Sequence, residues 1–170
     1  MRRNYITKIP MMSAVIAICS LIAIPSPAGV PFTLQTFGVM LSGLILGCKG
    51  GGCSVLVYLA IGAAGLPVFS GFTGGAGQLL GVTGGYLWGF VPMAMLSGLG
   101  RGRAEWQQYI LAVSGLAVCH AMGAGWLGFV MEMSFGKALL IGSVPYIIKD
   151  ILSAAGAFAV YGMLKKHIAA

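Results

Sequence analysis

Asp150 is the only aspartate in a chain of 170 residues, and it ends the run VPYIIKD (Val144 to Asp150) inside the last long apolar stretch. It lies about seven residues into that stretch, which on a helix rising 1.5 Å per residue is roughly 10 Å from its start. A carboxylate at the centre of a bilayer costs about 2.5–3.5 kcal/mol on insertion scales, and less near an interface, so something must compensate it. Two compensations are open: a bound ligand, or a structural partner in the form of a lysine or of His120. Helical spacing places Tyr146, Asp150 and Ser153 or Ala154 on one face. Lys149, one position off, points about 100° away and is expected to reach either toward the interface or toward a carboxylate of the ligand.

The remaining reactive side chains are scattered. His120 sits within an apolar stretch and His167 is in the C-terminal tail, so a proton relay or metal site lacks its second group and a cross-helix hydrogen bond is expected. GCS (Gly52 to Ser54) with His120 offers the parts of an intramembrane serine hydrolase, but Ser54 opens one apolar stretch while His120 lies far along another. A single aspartate also excludes a two-carboxylate protease. Cys19, Cys48, Cys53 and Cys119 have no metal-ligand spacing and read as small apolar packing residues. Glu105 and Glu132 fall at stretch ends and read as solvated. No G-x-x-x-x-G-K-[ST] loop is present, and GCKG (Gly47 to Gly50) lacks both the spacing and the hydroxyl. The chain reads as a non-enzyme with no cofactor or metal of its own.

The elements that position these groups follow from the charges. Apolar residues make up 58% of the chain, glycine adds 28 more, and only 8% of residues are charged, against about a quarter in a soluble domain. With a mean hydropathy of +0.95, a soluble enzyme, a nucleic-acid module and a disordered tail are excluded, and the bilayer is the solvent. No charge occurs for 40 residues between Lys8 and Lys49 or for 51 between Lys49 and Arg101. A crossing takes roughly 20 residues, so each interval holds two. Proline and glycine clusters divide them, and the expected spans are 9–24, 33–48, 50–66, 79–99, 106–130 and 143–164. Residues 1–170 form a single all-α domain of six membrane helices with short loops.

An even number of spans puts both termini on one side. Arg2, Arg3, Lys8, Lys49, Arg101, Arg103, Lys165 and Lys166 then share that side, against Lys137 alone opposite, so both termini are expected in the cytoplasm of a cell-membrane protein. The net charge of +7 thus reports orientation, with no nucleic-acid partner. The basic start with Ser26 and Ala28 loosely resembles a cleavable secretory signal. Pro10, Pro25 and Pro27 crowd that pattern, and removal would break the charge alternation, so the segment is read as a retained first span.

The outward loops, Pro25 to Phe32, Pro67 to Gln78 and Met131 to Gly142, are poor in charge and rich in glycine, proline and aromatic residues, as suits a lidded pocket for a small, mostly apolar ligand. VPFTLQTFGVMLSGLILG (Val30 to Gly47) brings Thr33, Gln35 and Thr36 to the outer end of span two. With GLPVFSGFTGGAGQLLGVTGGYLWGF (Gly65 to Phe90), AVCHAMGAGWL (Ala117 to Leu127) and VPYIIKD, it resembles the BioY family, the biotin-binding membrane subunits (S components) of energy-coupling-factor (ECF) vitamin transporters. The resemblance implies a six-helix S-component fold with cytoplasmic termini that captures biotin from outside. It also implies partners: a transmembrane coupling subunit and two ATPase subunits, which alone use ATP.

For the site, the resemblance implies that Asp150 accepts from the ureido ring and that Gln78, Thr83 and Tyr86 line the pocket near the ureido oxygen. Tyr146 and Gln35 complete the polar set, and Phe32, Phe72 and Trp126 are expected to pack on the sulfur-containing ring. An interfacial belt role is open for each aromatic. Family members commonly carry lysine three residues after the aspartate, where this chain has Ser153. Lys149 is therefore the first candidate for the ligand's carboxylate, and the amides around Gly74, Gly75 and Gly77 are the second. Ser13 and Ala17, extended by Ala14 and Ser20, form a small-residue strip that the resemblance assigns to docking on the coupling subunit, with packing inside the bundle equally open. A carrier for another small vitamin is the alternative reading, and the lack of an outer basic cluster argues against phosphorylated cargo.

Overall fold

The computed structural model describes residues 2–24 and 30–168, with side chains for residues 6–24 and 30–165. Pro25, Ser26, Pro27, Ala28 and the side chains of Arg2, Arg3, Lys166 and His167, which entered the cleavage, charge and metal readings, lie outside what is described. Helix α1 (Arg2–Leu21) is followed by two short strands, β1 (Ala23–Ile24) and β2 (Phe32–Thr33), paired antiparallel as Ala23 with Thr33 and Ile24 with Phe32. Helix α2 (Gln35–Ala63) is in fact two arms, because Gly47 leaves the helix at φ 77° and ψ 178°. A straight helix would hold residues 35 and 58 roughly 35 Å apart. Instead Gln35 Nε2 lies 2.8 Å from the Tyr58 hydroxyl, so the arms run antiparallel.

The sequence explains the reversal. GCKGGG (Gly47 to Gly52) supplies the positive φ at Gly47, a conformation that glycine adopts without Cβ strain. It also lets the arms touch through their backbones: a Cβ at Gly51 would fall 2.6 Å from the Gly43 Cα. The chain continues through α3 (Gly77–Leu80), α4 (Gly84–Leu99), α5 (Glu105–Val130), α6 (Phe135–Gly142) and a 3₁₀ turn (Val144–Tyr146) that runs into α7 (Ile147–Ile168). With the arms of α2 counted separately, six long helices form one all-α bundle. Helix α2 packs on α1, α4 and α7, and α5 covers the far side of α4. Val39, Met40, Leu44, Tyr58 and Met93 fill the centre.

Among the described residues, three stretches are long and apolar enough to cross a membrane: Gln35–Ala63, Glu105–Val130 and Phe135–Lys165. The first reaches that length only by joining two arms of about 18 and 24 Å, each shorter than the roughly 30 Å hydrocarbon core. The loops that prolong them, around residues 30–34 and 64–83, fold back into one end of the bundle and build a cavity there. At the other end Gly98 sits against Gly47 and Cys48 while Gly100 sits against Gln108, which places Lys49, Arg101 and Arg103 together.

Candidate ligand site

The cavity has an empty volume of about 640 Å³, part of it open to the outside. Its wall draws on nearly every element, with Thr36 from the first arm of α2, Gln78 and Thr83 around α3, Tyr86 and Phe90 from α4, His120 from α5, and Tyr146, Lys149 and Asp150 from the start of α7. The 3₁₀ turn over Val144, Pro145 and Tyr146 positions that last group. Pro145 has no N–H to donate and stands where the first turn has none to pair.

Asp150 is buried, and three elements meet on its carboxylate. Thr36 Oγ1 donates to Oδ1 at 2.6 Å, the Lys149 ammonium pairs with the same oxygen, and His120 Nε2 lies 3.1 Å from Oδ2. The structural partners left open in the sequence are thus both present, and the carboxylate they hold lies on the cavity wall. Of the two courses open to Lys149, the side chain takes the inward one, onto the cavity wall. Its ammonium folds inward, donating to the Thr33 carbonyl at 3.0 Å and approaching Thr36 Oγ1 at 3.5 Å. A half-buried ammonium needs acceptors, and the Thr33 carbonyl and Asp150 supply them.

The same region of α7 holds the first loop in place. The Tyr146 hydroxyl donates to the Val30 carbonyl, and its ring stacks on Phe32 with centroids 4.4 Å apart. Together with the Lys149–Thr33 bond, these contacts strap residues 30–33 across the cavity. Gln35 is held on both sides, accepting from Thr33 Oγ1 at 3.1 Å and donating to Tyr58, whose hydroxyl donates to Ser20 at 3.1 Å. The Tyr86 hydroxyl donates to the Gly142 carbonyl at 2.7 Å, and its ring lies over Gly123, where any Cβ would collide with it.

Of the expected site residues, Asp150, Tyr146, Lys149, Gln35, Gln78, Thr83 and Tyr86 come together on the wall. Phe32 stands behind Tyr146. Phe72 does not reach the cavity: it is 68% exposed on a backbone of φ 58°. Phe69, three residues earlier, is on the wall instead, edge-on to Tyr58 at 5.5 Å. Trp126 is off the wall, its indole N–H donated to the Gly81 carbonyl at 2.9 Å. Gly75 and Gly77 are off it too, and the Gly75 amide is donated to the Gly62 carbonyl at 2.7 Å.

On α1, Ser13 is buried against α2 and donates to the Ser54 carbonyl at 2.7 Å, Ala17 is half-buried, and Ala14 is exposed. Ser54 Oγ is turned to the Gly50 carbonyl at 3.0 Å, and His120 is engaged with Asp150, so the two do not form a nucleophile–base pair. The wall residues not assigned to the ligand from sequence include His120, Thr33, Thr36 and Phe69. His120 carried a signal, since a histidine in an apolar helix needs a partner and Asp150 needed one as well. Phe69 carried none, because loop residues have no periodicity to read.

A sequence model described as the BioY family matches residues 1–170. The chain is 44% identical over 128 residues to a protein of Pyrococcus horikoshii named "Probable biotin transporter BioY", covering 75% of this chain and 76% of that one. It is 40% identical over 161 residues to the "Biotin transporter BioY" of Thermotoga maritima, covering 94% of each. Its fold superposes with a TM-score of 0.87 and 30% identity on a crystal structure described as the S-component for biotin from an ECF-type ABC transporter, over 97% of this chain and 92% of that one.

Proposed function

This chain belongs to the BioY family, and we infer that it is the biotin-binding membrane subunit of an energy-coupling-factor transporter, holding the vitamin in the cavity walled by Asp150. The observation that carries the assignment of the site is the placement of the sole aspartate, buried on that wall between donors from α2, α5 and α7. A charge gathered there from three helices is costly to bury, and a ligand with N–H donors gives that cost a use. The ureido ring supplies such donors. Phe69, Leu87 and Phe90 give the fused ring apolar and sulfur contacts. Lys149 faces the carboxylate end of the valerate chain, and Gln78, Thr83 and Tyr86 face the ureido oxygen.

The protein works in the cell membrane with both termini in the cytoplasm. Lys49, Arg101 and Arg103 gather at the end of the bundle away from the cavity, which fits the retention of positive charge on the cytoplasmic side and opens the cavity outward. Biotin is captured from outside and delivered inward as the subunit moves relative to a transmembrane coupling subunit driven by two ATPases. Of the small-residue strip of α1, Ser13 is taken up inside the bundle, and the exposed Ala14 with the half-buried Ala17 contributes to docking on that subunit. The test is direct: protein purified in detergent retains biotin, and Asp150→Ala abolishes retention. Undiminished binding by that variant removes Asp150 from the site.

A further inference from the structure

Among the described residues, one buried side-chain nitrogen or oxygen has no hydrogen-bond partner: His120 Nδ1. It belongs to a residue on the cavity wall, beside the group assigned to the ligand. Its neighbours have their protons placed. Tyr86, Tyr146, Thr36 and Gln35 all donate within the protein, to Gly142, Val30, Asp150 and Tyr58 respectively. An orphaned buried polar atom costs about as much as a lost hydrogen bond, so one such atom on a residue of the cavity wall marks a place that a ligand completes.

The chemistry of that place is set by Asp150. A carboxylate paired with the Lys149 ammonium only accepts, so the 3.1 Å contact to His120 Nε2 requires the proton to be on Nε2. In the neutral ring Nδ1 is then a bare acceptor. The two N–H bonds of a five-membered cyclic urea diverge, so one carboxylate oxygen cannot lie along both. We propose that His120 Nδ1 and Asp150 divide the ureido ring between them, each accepting one N–H, and that His120 thereby makes the site selective for a ligand with two ring donors. The inference rests on the cavity being the biotin site.

The experiment uses biotin and two lactam isomers, each with one ring N–H replaced by CH₂, against the wild type, His120→Leu and Asp150→Ala in detergent. His120→Leu is expected to weaken biotin about tenfold, the scale of one buried hydrogen bond. The isomer lacking the N–H assigned to His120 should bind wild type about tenfold weaker and lose nothing further in His120→Leu, whereas the other isomer should still lose the full factor. A merely structural role would weaken all three ligands alike, and that result overturns the proposal.

The chain has two histidines, so ¹⁵N-histidine labelling of the wild type reads the same contact without any variant. Biotin should shift one bare ring nitrogen toward its hydrogen-bonded position, and the lactam lacking that N–H should not. Unshifted nitrogens in both histidines overturn the proposal. Failure of the site itself is distinct, since it shows as biotin binding that survives Asp150→Ala.

Discussion

At one end of the bundle, Gly43 and Gly51 meet backbone to backbone and Gly98 fits beside Gly47 and Cys48, leaving no space between the helices. At the other end the same helices and their loops leave a cavity of about 640 Å³, part of it open to the outside, and ring it with Thr33, Gln35, Thr36, Tyr86, Tyr146, Lys149 and Asp150. The charges follow the contrast. Lys49, Arg101 and Arg103 at the packed end are exposed, whereas Lys149 and Asp150 at the cavity end are drawn inward and paired. Exposed charge sets orientation at small energetic consequence, while buried charge must be matched group by group. The packed end therefore decides whether the chain folds, and the cavity end decides what it holds.

Substitutions at the two ends should separate these consequences. The largest effect is expected from Gly51→Leu, whose side chain would run into the Gly43 backbone and the Ala94 carbonyl. Overpacking of this kind costs about 3 kcal/mol, so yield and melting temperature in detergent should fall sharply. A normally folded Gly51→Leu protein would show that the packed end accommodates a side chain and does not decide folding. Next comes Lys149→Met, which strips a cation from the Asp150 carboxylate and, in the proposed binding mode, from the valerate end of the ligand. Biotin affinity measured by calorimetry should drop about tenfold or more, with the helical signal retained.

Tyr146→Phe removes only the hydroxyl that straps Val30, a contact worth about 1 kcal/mol. Biotin should dissociate about fivefold faster in a chase experiment with a smaller change in the association rate, and an unchanged off-rate would show that the loop is held without it. The smallest effects belong to Phe72→Ala and Arg101→Ala, both away from the cavity wall. Each should change biotin affinity by about twofold or less, as surface substitutions do. A large loss at Phe72 would mean that the loop closes onto the ligand further than its position indicates.

The six-helix bundle was legible because spacing in a bilayer protein is enforced from outside. Charge-free intervals must accommodate whole crossings, and prolines and glycines mark their ends. Even the reversal inside α2 was signalled by Lys49 among the glycines of GCKGGG. Asp150, Tyr146 and Lys149 were legible for a related reason, since polar groups in an apolar helix stand out and helical spacing says which share a face. Which of its two open courses Lys149 takes was not legible, because it depends on the Thr33 carbonyl lying within its reach, a contact that joins residues 116 positions apart. Phe72 and Phe69 exchanged roles in a loop where no periodicity distinguishes inward from outward.

The composition and order of residues thus determined the solvent, the number of long helices and the one aspartate that had to be matched inside them, because each depends on the cost of placing charge and open backbone in hydrocarbon. The tertiary structure alone decided which groups answer that carboxylate. Thr36 on α2, His120 on α5 and Lys149 on α7 meet Asp150 from separate helices. Hydrogen bonds act over about 3 Å, and no pattern of sequence spacing fixes distances on that scale between helices joined by irregular loops.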